Sequence, residues 1–342
     1  MPKLCKVTLN GDTFYANYGD LVLDGALMNG VEIHHDCRSG ICGSCRVRLV
    51  DGEVFGGIEE GGDTIYACQA RVVSDISLVA EPVPEPVSVS ARVAKIDRLA
   101  PDVIGVTLKL QKPLEHLPGQ YCKLQFRGFP ERSYSPPYPL ERAPQKNLLY
   151  FHIRRFPDGA VSSALGSQIR VDHRVRLSGP FGGAFLRADH TGRIVLVASG
   201  TGFAPMWAIA AAAITEQPKR ELIFVVAARS LQSFYMHPAL CRLALFPNVK
   251  IIPVVSESQG VTPAIRCGRP IDCLPKLSRR DIVYACGAPA MTESVARIAV
   301  AAGATCYTDP FVPNIKPGAN PGVTSHLAGR WFDSARKSRQ VA

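Results

Sequence analysis

The stretch His35 to Leu49, HDCRSGICGSCRVRL, places Cys37, Cys42 and Cys45 within nine positions, at intervals of four and then two residues. The next cysteine, Cys68 in IYACQA, follows after 22 residues. Between the first three lie Ser39, Gly40, Gly43 and Ser44, small enough for the backbone to wrap closely and aim its N–H groups at sulfur. Three thiolates from one tight loop and a fourth from a distant strand suit a 2Fe–2S cluster, in which each iron takes two of them. A structural zinc site favours two Cys-x2-Cys pairs, or one such pair with two histidines, and only one pair is present. A Rieske centre needs spaced histidine ligands, whereas His34 and His35 sit side by side and read as solvent-side loop residues.

Composition sets the frame around that loop. The chain has 342 residues, enough for about two or three domains. Its longest apolar run, Met206 to Ile214, is nine residues, far short of the roughly twenty that a membrane span needs, so no membrane insertion is expected. The opening MPKLCKVTLNG lacks an apolar signal core, and eleven cysteines, an odd number, argue for reduced thiols in the cytoplasm. Residues 1–84 carry six Lys/Arg against twelve Asp/Glu, and the remaining 258 carry 33 against 17. An acidic head on a basic body, without a nucleic-acid motif, fits a bound anionic nucleotide and a protein partner better than DNA or RNA.

The organisation changes twice along the chain. KVTLNGDTFYANYG reads as a hairpin about Asn-Gly, and DLVLDGALMNG as a short helix with a glycine stop. EPVPEPVSVS, Glu81 to Ser90, reads as an extended linker. From about 91 to 187 short β-rich runs separated by Pro and Gly predict a small antiparallel barrel. From about 190 strands and helices alternate, which predicts a parallel sheet covered on both faces.

Two further stretches carry chemistry. ERSYSPPYP offers a cation, an aromatic ring and a hydroxyl at Arg132, Tyr134 and Ser135, and FHIRRFPDGAVSSAL places Gly159 and Ser162 before an expected helix whose free N–H groups would hold an anion. In this order on a barrel they resemble the flavin-binding half of the ferredoxin–NADP reductase superfamily. That resemblance implies FAD, with Arg132 and Ser162 on the pyrophosphate, Tyr134 against the isoalloxazine, Ser135 near N5, and His152 and Arg154 along the flavin. IVLVASGTGFAPM sets Gly200, Thr201 and Gly202 between a strand and a helix, with Pro205 at the expected helix start. No Lys-Ser/Thr follows, so it is not an ATP-binding Walker loop. With YACGAPAM it resembles the pyridine-nucleotide half of the same superfamily, which implies Cys286 and Gly287 bordering the nicotinamide, and Phe311 of TDPF beside the flavin. Arg229-Ser230, closing LIFVVAA, has no nearby acid for a ribose 2′-hydroxyl; by resemblance NADH is expected, with NADPH a second donor.

The cysteine loop and its hairpin resemble a plant-type ferredoxin, with a shortened segment between Asp51 and Asp63. The whole order resembles the NAD(P)H-dependent reductase component of aromatic-ring-hydroxylating (Rieske) dioxygenases, of the naphthalene dioxygenase reductase type. This implies a multidomain chain. It comprises a β-grasp α+β ferredoxin domain (1–84, linker to about 90), an antiparallel β-barrel flavin domain (91–188), an α/β parallel-sheet nucleotide domain (189–313) and a tail (314–342). It also implies an oxidoreductase of aromatic hydrocarbon catabolism. Electrons would pass from NADH to FAD at Ser135 and Cys286, then to a cluster on Cys37, Cys42, Cys45 and Cys68, and out to a Rieske-type ferredoxin or the terminal oxygenase. The same module order serves di-iron monooxygenases and a deoxysugar pathway, and a zinc-stabilised binding scaffold is the alternative of another class.

Overall fold

Asn10 and Gly11 both take positive φ, 52° and 99°, and so close a two-residue turn whose twist matches the strands it joins. The turn pairs β1 (Leu4–Leu9) with β2 (Asp12–Asn17), Leu9 opposite Asp12. A computed structural model describes residues 3–35, 38–40, 42–59, 63–138, 145–257 and 264–312. The tail expected from 314 onward lies outside the described residues.

The first domain follows from the hairpin. Cys5, Val7, Leu9, Phe14 and Ala16 alternate inward, and α1 (Val22–Met28) lays Val22, Leu23 and Ala26 on them. β3 (Arg46–Asp51), β4 (Val54–Phe55), β5 (Thr64–Tyr66), β6 (Arg71–Val72) and β7 (Ile76–Val79) complete it. Its sheet runs β2-β1-β7-β3-β5, with β1 and β7 parallel and the other pairings antiparallel. β4 and β6 form a separate two-stranded ladder. This is the α+β arrangement expected.

The second domain begins earlier than the prolines imply. β8 spans Val87–Ala100, and Ser88 and Val89 already pair with Ser178 and Leu177, so only residues 81–86 remain as linker. β9 (Val103–Leu110), β10 (Tyr121–Phe126), β11 (Arg132–Tyr134), β12 (Leu148–Arg154) and β13 (Arg174–Phe181) follow. Their order is β11-β10-β13-β8-β9-β12, all antiparallel, around a core that includes Leu108, Leu124, Phe126, Phe151 and Leu177.

The third domain is the parallel sheet. β14 (Ile194–Ser199), β15 (Leu222–Ala228), β16 (Val249–Val255), β17 (Arg266–Cys267), β18 (Ile282–Gly287) and β19 (Thr305–Pro310) lie in the order β17-β16-β15-β14-β18-β19. The five residues Ile194 to Ala198 are buried, the unbroken apolar run of a strand covered on both faces. Helices α2 (Phe203–Glu216), α3 (His237–Leu243) and α4 (Pro289–Ala301) connect them. α2 starts two residues before the expected position, so Pro205 is its third residue, still within the first turn, where an N–H is not required. Among the described residues no helix is long and apolar enough to cross a membrane.

Barrel and sheet are joined at His152, whose Nδ1 meets the Tyr235 hydroxyl at 3.2 Å, ring edge to ring face. Burial holds the His152 imidazole down at about 4, so it is neutral near pH 7 and shares a single hydrogen with the Tyr235 hydroxyl. The unfolded chain, with the ordinary value of 6.5, binds more protons between these limits. Stability from this joint is therefore complete above about pH 6.5 and is lost as pH falls toward about 4. His152→Gln should unfold with a shallower pH dependence than the parent chain across that window, which thermal melts at stepped pH would measure.

Candidate redox site

Cys42, Cys45 and Cys68 are buried at 2–3% exposure, and the Cys45 and Cys68 sulfurs lie 3.2 Å apart. Gly40 and Gly43 take φ of 76° and 77°, which lets the loop turn tightly enough to present its cysteines inward. Cys68 sits in the turn after β5 rather than on the strand, as the position of β5 shows. Cys37 lies outside the described residues. The Cys45 thiol is pushed far up, first by its hydrogen bond with Cys68 and then by burial. Converging buried sulfurs are stable as thiolates only if cations compensate them, and this donor set fits a 2Fe–2S cluster.

The residues expected at the flavin lie at the end of β11. Ser135 is 4% exposed, and its hydroxyl donates to the Asp309 carboxylate at 3.5 Å. Burial pushes the Tyr134 phenol up, so it stays protonated. Arg132 donates to the Glu131 carbonyl at 2.7 Å from an otherwise open position. Arg154 pairs with Asp102 at 3.0 Å, and its guanidinium lies 3.9 Å from where a Cβ on Gly200 would stand. The helix expected after Gly159 does not form. Residues 160–164 are turns; the Ser162 hydroxyl accepts the Phe156 N–H at 3.1 Å, and a Cβ on Gly159 would strike that same oxygen. A cation, a buried hydroxyl and a ring on one barrel edge fit FAD, with the Gly159–Ser162 turn in place of a helix terminus.

On the sheet side, Gly200 to Gly202 form one 3-10 turn between β14 and α2. A Cβ on Gly202 would collide with the Cys286 carbonyl, and one on Gly287 (φ 126°) with Ser199. The ends of β14 and β18 thus approach as only glycine allows. They do so at the strand-order switch point, where open sheets bind ligands, and this fits a dinucleotide. Thr201 lies within this turn, and Arg229 is exposed just past the end of β15. Cys286 is fully buried, and its thiol, pushed well up by burial and by Asp309, donates toward Asp309 at 3.7 Å. Phe311 caps the strand ends, its N–H donating to the Gly287 carbonyl at 2.8 Å. A different cleft, at the amino ends of the strands, is lined by Arg193, Glu221 and Asp281; Arg193 pairs with both carboxylates, and the group reads as structural.

One strand gathers these parts. On β19, Asp309 takes hydrogens from both Ser135 and Cys286, while the Thr308 N–H donates to the Cys42 carbonyl at 3.1 Å. A Cβ on Gly43 would stand 3.0 Å from the Cys306 carbonyl and the Tyr307 ring, and one on Gly183 would meet the Ser44 backbone. The cluster loop is therefore seated directly on the strand that carries Asp309. Asp309 was not singled out in the sequence; TDPF contains it, but only the pairing of β18 with β19 sets it opposite Cys286.

The three domains match known family models in the same order. A 2Fe-2S iron-sulfur cluster binding domain covers residues 7–73, an oxidoreductase FAD-binding domain 90–185 and an oxidoreductase NAD-binding domain 196–297. The chain is 35% identical over 320 residues (87% of this chain, 95% of the relative) to the reductase component of the naphthalene 1,2-dioxygenase/salicylate 5-hydroxylase systems of Ralstonia sp. It is 31% identical over 308 residues (83% and 91%) to the naphthalene 1,2-dioxygenase system reductase component of Pseudomonas putida. Among solved structures, an Amycolatopsis cytochrome P450 reductase matches with a TM-score of 0.62 at 28% identity, over 90% of this chain and 99% of that one. When bound, the nicotinamide supplies a hydride, the flavin divides its electron pair and the cluster takes one electron at a time. The chain belongs to the family of ferredoxin–NAD(P)+ reductase components, oxidoreductases that carry electrons from a nicotinamide nucleotide through FAD to a 2Fe–2S cluster.

Proposed function

We propose that this reductase serves an aromatic-ring-hydroxylating dioxygenase, passing electrons to a Rieske-type ferredoxin or directly to the terminal oxygenase, in the cytoplasm. The partner reading rests on the two naphthalene dioxygenase relatives. The compartment rests on the cysteine-rich loop, which must keep its thiols reduced to hold a cluster. In this reading Cys37, Cys42, Cys45 and Cys68 hold the cluster. Arg132, Tyr134, Ser135, His152, Arg154, Gly159 and Ser162 line the flavin site. Gly200, Thr201, Gly202, Pro205, Arg229, Cys286, Gly287 and Phe311 line the nucleotide cleft. The domains divide near residues 84–90 and 188–189.

The observation that carries the reading is the position of β19, in contact with the cluster loop through Thr308 and with Ser135 and Cys286 through Asp309. Asp309 holds the Ser135 hydroxyl and the Cys286 thiol at one point, both as neutral donors. It is a positioning residue for the nicotinamide–flavin pair. NADH is the principal donor, and exposed Arg229 admits NADPH by answering its 2′-phosphate.

Anaerobic titration with NADH, followed by visible absorption and EPR, tests the sequence of carriers. Flavin bleaching should be joined by a reduced-cluster signal; bleaching with no such signal would overturn the reading. Cys68→Ala should abolish reduction of an iron–sulfur acceptor yet keep NADH-driven dye reduction close to that of the parent. Asp309→Asn should slow flavin reduction about tenfold, the effect of one weakened buried hydrogen bond, with iron content unchanged. Arg229→Ala should raise KM for NADPH and leave KM for NADH in place; an equal rise for both would remove Arg229 from donor selection.

A further inference from the structure

Tyr307 stands where the domains meet, and two guanidinium groups lie over its ring. Arg46, the residue after Cys45, is 4.7 Å from the ring centroid, and Arg187, between barrel and sheet, is 3.7 Å away. Neither group is loose. Arg46 pairs with Glu59, donates to the Tyr66 hydroxyl at 3.2 Å and to the Cys306 carbonyl at 3.3 Å. Arg187 grips Glu81 of the linker at 2.7 Å and donates to the Gly183 and Phe185 carbonyls at 2.6 and 2.8 Å. Beneath, Tyr284 stacks on Tyr307 at 5.7 Å and 19°. The clasp thus touches the ferredoxin domain, the linker, the barrel–sheet connection and the strand that bears Asp309. Next to it the Thr308 N–H donates to the Cys42 carbonyl, a second tie between the cluster loop and β19.

We propose that the Arg46–Tyr307–Arg187 clasp is a positioning device that fixes the cluster loop on β19 and thereby sets the rate at which electrons leave the flavin for the cluster. This rests on the carrier order given above and adds residues that contact neither carrier in it. The planar ring is the working part, since both cations lie over it while their charges are met by Glu59 and Glu81.

The holoprotein, with Tyr307→Leu, Tyr307→Phe and Arg187→Gln, supplies the test. Hydrogen exchange at Thr308 reports docking without any electron flow, and rapid mixing with NADH reports flavin bleaching and cluster reduction separately. In Tyr307→Leu, Thr308 exchange should quicken about tenfold, as loss of a desolvated cation–ring contact predicts, and cluster reduction should slow in step. Flavin bleaching should keep its parent rate, and Tyr307→Phe should behave as the parent. Arg187→Gln lies outside the sheet and should shift exchange and cluster reduction in the same sense. The clasp is refuted if Tyr307→Leu and Arg187→Gln leave cluster reduction unchanged, or if Tyr307→Phe is as impaired as Tyr307→Leu. Faster exchange in a protein whose parent never reduces its cluster would instead sink the carrier order.

Discussion

The Thr308 amide reaches the Cys42 carbonyl at 3.1 Å, and the junction is arranged to permit that approach. Gly43 and Gly183 occupy the two places where a side chain would push the loop off the strand. One backbone hydrogen bond contributes only about 1 kcal/mol net, too little to hold a domain in place. The rest must come from packing and from the guanidinium–ring contacts, each worth up to about 2 kcal/mol when water is excluded. Burying Arg46 at 9% side-chain exposure would cost several kcal/mol if it were unpaired, and Glu59 offsets part of that cost. The seat of the loop is thus the sum of modest terms, none dispensable.

Strand periodicity explains how one strand serves two sites. Tyr307 and Asp309 are two residues apart, so both project from the same face, separated by roughly 6.6 Å along the strand. Their register partners on β18, Tyr284 and Cys286, project likewise. Tyr307 meets Gly43 of the cluster loop, and Asp309 meets Ser135 on the barrel. A slip of one residue would send both to the opposite face, where α4 packs. The register of β19 against β18 therefore sets the spacing between the two sites.

Features fixed by local chemistry were legible in the sequence. The Cys-x4-Cys-x2-Cys spacing, the Asn-Gly hairpin and the glycine turn after an apolar strand each specify their geometry within a few residues. What escaped depends on distance along the chain. Ser135 and Asp309 are 174 positions apart, and Arg46 and the Cys306 carbonyl 260. TDPF marks only the end of β19, and the proline there is tolerated because this is an edge strand. The alternating VSVS after the linker prolines already belongs to β8, which shortens the linker. After Gly159 the Ser163 N–H reaches the Gly159 carbonyl and closes one turn, and no helix follows.

The charge split along the chain finds only part of its explanation at this junction. Arg187 of the basic body does meet Glu81 of the acidic head, but Arg46 belongs to the head and meets Glu59 of the same domain. Each guanidinium is matched by a carboxylate, so the pair adds little net charge beside the cysteine loop. Its effect is geometric: a planar group over a flat ring resists sliding in a way that an ammonium cannot, and for that reason lysine is a poor substitute at either position. The excess of acid on residues 1–84, twelve against six, is left largely outside the clasp. Charge at the surface acts over about a Debye length, which suits encounter with a partner and not the fixing of a domain. Contact geometry, and not the excess of acid, holds the cluster loop to the sheet.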